Sequence, residues 1–149
     1  MRPLRQAARI LITAVAVFAT MFTLNAPAWA APDVDVAPAT SGVAADYKWY
    51  SWGDLSVGDC HQTGGMLKIY PDGKFTFSAT TWTTFTLSGD IWWARFDLRD
   101  GANNSLFTTA SVRNPEAMWP SKHHDWTANG TYPAEFYNAV AHVIQRASC

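Results

Sequence analysis

Charge is scarce in this 149-residue chain, with eleven Lys and Arg against twelve Asp and Glu and a formal net charge of −1. No basic excess is available to neutralise phosphates, so nucleic acid is not an expected partner. Cysteine is scarcer still. Cys60 and Cys149 are the whole complement, which allows a single disulfide connectivity. Other features are absent altogether. The chain has no Gly-x-Ser-x-Gly elbow, no Gly-rich phosphate loop, no His-x-His pair and no internal repeat, so no motif points to a nucleophile, a nucleotide site or a metal centre. No apolar run reaches the roughly 18 to 20 residues that span a bilayer, and the length excludes a multidomain enzyme.

What is present starts with an export pattern. Arg2, Arg5 and Arg9 precede an apolar-rich run over residues 10–24, and Ala28 and Ala30 flank Trp29 as signal peptidase requires. The pattern predicts a signal peptide over residues 1–30, cleavage before Ala31 and a secreted product with no remaining membrane attachment. The competing reading is an uncleaved anchor. After position 30 the chain keeps eight basic and twelve acidic residues, and in an oxidising compartment Cys60 and Cys149 are most simply read as one disulfide. Residues 31–46 hold two prolines, several alanines and no aromatic residue, and they read as a flexible N-terminal tail. Within it Asp33-Val34-Asp35-Val36 alternates like an edge strand. Val34 and Val36 could therefore dock as an arm on a partner's sheet, or the segment could be a plain spacer.

Aromatic residues arrive abruptly at Tyr47, which marks the start of a single domain over residues 47–149. Period-two alternation predicts antiparallel strands joined by the turns at residues 70–73, 88–90 and 100–101. Phe75, Phe77, Ala79, Thr81, Thr83, Phe85 and Leu87 share one face. Trp92, Ala94, Phe96 and Leu98 form the apolar face of the next strand, and a further strand runs over residues 106–112. A short strand through His124, Trp126 and Ala128 is weaker. Pro133 followed by Phe136, Val140, Val143 and Ile144 predicts a C-terminal α-helix on the sheet. The expected fold class is mainly β, an antiparallel β-sheet or small barrel with a C-terminal α-helix.

Candidate chemistry divides between sites and packing. His123-His124-Asp125 offers metal-ligand and acid–base groups, yet adjacent side chains of an extended segment point to opposite sides. Asp54, Asp59, Asp72, Asp90, Asp97, Glu116 and Glu135 could supply a glycosidase carboxylate pair, but most of the aspartates stand in turn-like positions. No catalytic residue, metal or cofactor is assigned. Of eight Trp, five Tyr and eight Phe, Phe18, Phe22 and Trp29 fall within residues 1–30, which leaves eighteen for the rest of the chain. Trp82, Trp93 and Phe107 fall opposite the main apolar face on three successive predicted strands, with Arg95 nearby. They could form a stacking platform for a glycan or an interface anchor, or a second packed layer that the helix or the Tyr47-to-Trp52 segment covers.

Gly58-Asp59-Cys60, Asp72-Gly73 followed by Phe75 and Phe77, Asp90 with Trp92, and Cys149 together resemble a family of small secreted actinobacterial domains of unknown function over residues 47–149. The resemblance implies fold-forming roles for these residues and carries no catalytic assignment. More loosely, the plan of signal, tail and compact β domain is similar to adaptor subunits of secreted toxin complexes. The reading that results is a secreted non-enzymatic binding module for a protein partner. Its alternatives are a carbohydrate- or cell-wall-binding module using Trp82 and Trp93, and a small hydrolase using the His123-to-Asp125 region. Intact mass of the exported protein checks the compartment: the expected species begins at Ala31 and has no free thiol, and a species retaining residues 1–30 contradicts the export reading.

Overall fold

The computed structural model describes residues 34–35, 39–44 and 46–149. The expected signal peptide and Val36 lie outside the described residues. Among the described residues eleven strands are formed: β1 (Val34–Asp35), β2 (Thr40–Val43), β3 (Lys48–Trp52), β4 (Leu55–Val57), β5 (Cys60–Ile69), β6 (Lys74–Thr83), β7 (Trp93–Arg99), β8 (Ser105–Thr108), β9 (Val112–Arg113), β10 (His124–Thr131) and β11 (His142–Ser148). All pairings between them are antiparallel. They make two sheets rather than the single sheet or barrel expected. The first runs β10-β6-β5-β3-β2 with β4 also on β5, and the second runs β1-β11-β7-β8 with β9 also on β7. Parts of the expected tail are strands here, since β2 pairs with β3 and β1 with β11.

The two sheets share one core because each strand turns alternate residues inward. Leu67, Ile69, Phe75 and Phe77 from the first sheet and Ala94, Phe96, Leu98 and Val143 from the second are fully or almost fully buried. Phe96 stands at the junction. Its ring centroid lies 4.8 Å from Phe77 and 5.8 Å from both Phe75 and Trp52, so three rings of one sheet close on one ring of the other. The β5–β6 hairpin forms where expected, with Gly73 at φ +79 closing the turn. The β10 strand, a weak signal in the sequence, pairs with β6 along its whole length.

The predicted C-terminal α-helix is not formed. Pro133 opens only a single 3-10 turn, Ala134–Phe136, and the chain then enters β11. Two competitors take the backbone groups a helix would need. The Lys48 ammonium donates to the carbonyls of Tyr137 (2.7 Å) and Val140 (2.8 Å), and the Ala141 N–H donates to the Arg99 carbonyl of β7 (2.8 Å). That burial also pushes the Lys48 ammonium below the usual lysine range by desolvation. The apolar stripe was misleading because β11 buries Val143, Gln145 and Ala147, and a polar residue at the middle inward position hides period two. The expected strand over residues 106–112 is likewise broken, into β8 and β9, both on β7.

Gln145 is inward because it has a partner. Gln62 of β5 and Gln145 of β11 are both fully buried, and their amides exchange two hydrogen bonds, 3.2 Å and 2.7 Å, across the sheet interface. Gly65 makes room, since a Cβ there would overlap the Gln62 amide nitrogen. Close by, the expected Cys60–Cys149 disulfide joins the start of β5 to the end of β11, with Cα atoms 6.2 Å apart. Replacing Gln145 by Ala strands the Gln62 amide without a partner, a cost of about 1 to 3 kcal/mol. Urea titration should show that loss for Gln145→Ala, and a smaller one for the double variant Gln62→Leu with Gln145→Leu. Equal losses would show that the amide pair is not what holds this register.

Candidate functional site

The outward face of the first sheet carries a ladder of rings. Register pairs His61 of β5 with Trp82 of β6, and His123 stands one residue before the His124–Thr81 pair, opposite the same tryptophan. Strands lie about 4.8 Å apart, which is a ring-stacking distance. The His61 and Trp82 centroids are 5.2 Å apart with planes 18° from parallel, and those of Trp82 and His123 are 4.6 Å apart at 9°. Because β6 lies between β5 and β10, the imidazoles cover opposite faces of the indole. Ser56 of β4 hydrogen-bonds His61 Nδ1 at 2.8 Å and steadies that end.

The expected platform of Trp82, Trp93 and Phe107 is not assembled on one face. Trp82 points away from the core on the first sheet, whereas Trp93 does so on the second, beneath the Arg113 guanidinium at 5.4 Å. Phe107 is half-buried against the shared core, so it is a packing residue. Arg95 lies on β7 opposite Arg146 of β11, and Val34 pairs with Ala147 at the edge of the same sheet.

The His123-to-Asp125 segment is divided as extended geometry requires. His123 stacks on Trp82, His124 is buried with Nδ1 3.7 Å from a Glu116 carboxylate oxygen, and Asp125 accepts a hydrogen bond from Thr80 (2.5 Å). Several of the carboxylates considered for glycosidase chemistry are engaged in structure. Asp72 accepts from the Lys74 N–H and ammonium, which holds its carboxyl below the usual carboxylate range. The buried Asp97 is held by Arg99 (2.6 Å) and Ser105 (2.5 Å). Cys60, Asp90 and Cys149 place their ligand atoms within 4.8 Å of one another, but the two sulfurs are bonded to each other.

A second surface, at the disulfide end, was not legible from periodicity. Phe85 and Leu87, expected to continue the buried face of β6, stand 58% and 87% exposed, and Trp119 is 48% exposed. The strand ends at Thr83 because the following loop has its own bonding pattern. The Thr83 and Thr86 hydroxyls donate to the two Asp90 oxygens at 2.7 and 2.9 Å, and the Gly89 N–H donates to Thr86 Oγ1 at 3.0 Å. Asp90 and Met118 exchange two backbone hydrogen bonds (3.1 and 2.7 Å), which brings the Trp119 ring against Gly89, where a Cβ would meet it at 3.3 Å. Three large apolar side chains are thus held in solvent by a fixed loop pair. The sequence signal was available in the Thr-rich run ending at Ser88-Gly89-Asp90, which reads as turn chemistry.

The covered indole gives a direct prediction. Replacing both His61 and His123 by Ala should raise acrylamide quenching of Trp82 fluorescence, measured in a chain whose other exposed tryptophans are Phe. It should also cost about 0.5 to 1.5 kcal/mol for each stacked pair lost. Unchanged quenching would mean that the rings do not cover the indole in solution.

No curated protein and no solved structure matches this chain. One family does, over residues 66–149, a span that takes in the last four residues of β5 and every later strand. The chain belongs to DUF6294, a family of unknown function.

Proposed function

We propose that this chain is a secreted, non-enzymatic binding module whose partner is another protein. The observation that carries the reading is the triad Phe85, Leu87 and Trp119, exposed yet carried on loops in which Thr86, Gly89, Asp90 and Met118 hydrogen-bond to one another. Apolar side chains fixed in water before binding lose little freedom when a partner covers them, which is how preorganised anchors gain affinity. The Cys60–Cys149 disulfide suits an oxidising compartment, and among the described residues no helix is long and apolar enough to cross a membrane.

The glycan alternative is less well supported. Sugar stacking needs an open aromatic face, and both faces of Trp82 are occupied by imidazoles while Arg113 lies over Trp93. The hydrolase alternative asks His123, His124 and Asp125 to act together, and they point into different environments. Secretion belongs to the same proposal and rests on the signal-like residues 1–30, whereas an actinobacterial source rests on the resemblance carried by Gly58-Asp59-Cys60, Asp72-Gly73, Asp90 and Cys149.

Capture from native culture medium on immobilised protein tests the reading. Phe85→Ser with Leu87→Ser should release at least one specific partner, about tenfold or more in affinity, without lowering thermal stability, because neither side chain is buried. Undiminished capture by that variant, or retention on insoluble glycan that depends on Trp93, would replace it with another surface or another ligand.

A further inference from the structure

Beside the apolar triad lies a cavity of about 450 Å³, lined by Val57, Asp59, Phe85, Leu87, Asp90 and the Cys60–Cys149 disulfide among others. Its size falls within the range of about 300 to 1,000 Å³ that ligand pockets occupy. Its walls are of two kinds. Val57, the disulfide, Phe85 and Leu87 are apolar, and the charged side chains among its lining residues, Asp59 and Asp90, are both carboxylates. An Asp90 carboxylate oxygen lies within 4.8 Å of both sulfurs, and among the described residues that carboxylate accepts only from the Thr83 and Thr86 hydroxyls. Asp59 is exposed and lends its backbone carbonyl, not its carboxylate, to Thr84. Among the described residues neither carboxylate takes part in an ion pair, whereas Asp72 and Asp97 each have a cation.

A partly sheltered carboxylate retains acceptor capacity after two neutral hydroxyl bonds, and a cation is the group that satisfies it most strongly. An apolar wall leading to that charge suits a side chain with a long methylene stem and a cationic head. We propose that the cavity receives a lysine or arginine side chain from an extended segment of the partner protein, its head between Asp59 and Asp90 and its flanking apolar residues on Phe85 and Leu87. The assignment rests on the protein-binding reading and specifies the partner's chemistry. A lipid surface is disfavoured by the same two carboxylates, which would repel anionic headgroups.

The test uses the isotope-labelled protein, disulfide intact, titrated with two blocked tripeptides, Leu-Arg-Leu and Leu-Glu-Leu, while amide chemical shifts are followed. The arginine peptide should shift amides of residues 57–60 and 85–90 at millimolar concentration, and the glutamate peptide should leave them in place. Added salt should weaken the response. Asp59→Asn, at an exposed side chain whose carboxylate makes no hydrogen bond or ion pair among the described residues, should weaken binding of the arginine peptide about tenfold, the loss of one charge-assisted contact. Equal response to both peptides, or shifts confined to other residues, overturns the cation pocket. The two readings can also fail separately. If culture-medium capture depends on Phe85 and Leu87 but is indifferent to Asp59→Lys, the partner is a protein and the cation assignment is wrong. If the arginine peptide binds as expected while capture ignores Phe85 and Leu87, the pocket stands and the protein-partner reading falls.

Discussion

Two carboxamides buried where no water is in contact must satisfy each other or cost the fold heavily. Gln62 and Gln145 do so with two hydrogen bonds that run between sheets instead of within one. Apolar packing alone is tolerant of sliding, since one methyl group can stand in for another, but a reciprocal amide pair is met at only one relative placement. With β5 and β11 fixed at that point, the Cys60–Cys149 bond closes nearby and Phe96 falls among Trp52, Phe75 and Phe77. The interior is therefore held by a directional polar contact inside a mostly non-directional core.

The outer surfaces follow from the same placement. Once β6 runs between β5 and β10, any aromatic residue pointing outward on β6 meets its lateral neighbours at ring-stacking distance, and here both neighbours are histidines. The indole that reads as an open platform along the chain becomes the middle rung of a ladder. The disulfide end behaves differently. Its apolar residues project from loops that bond to themselves through Asp90, so their exposure is built in by hydrogen bonding.

Period two was legible wherever inward positions were apolar, as in the β5–β6 hairpin and in Trp92, Ala94, Phe96 and Leu98. It failed in β11, where the middle inward position is polar. Gln145 broke the alternation of β11, and the remaining Val140, Val143 and Ile144 imitated a helical stripe. The pair that explains Gln145 is 83 residues away in the chain, a distance over which local pattern carries no information. Strand assignment to sheets was hidden for a related reason. Successive strands β6 and β7 look alike in sequence, yet the chain crosses from one sheet to the other between them, which separates Trp82 from Trp93. The disulfide needed no such inference because two cysteines permit one connectivity.

The Cys60–Cys149 bond also makes residues 60–149 a covalent ring, with β3 and its buried Tyr50 and Trp52 attached outside it. A protease that cuts one exposed turn within the ring, for instance at residues 101–104, converts a loop into two ends but separates nothing. The nicked molecule keeps its mass, apart from one water, until the disulfide is reduced. A cut between Trp52 and Cys60, by contrast, leaves the edge strand β2 and its neighbour β3 held by sheet pairing and core contacts alone. Covalent retention after a single cut is thus unequal along the chain, and a cut in the short stretch carrying β4 falls outside the ring.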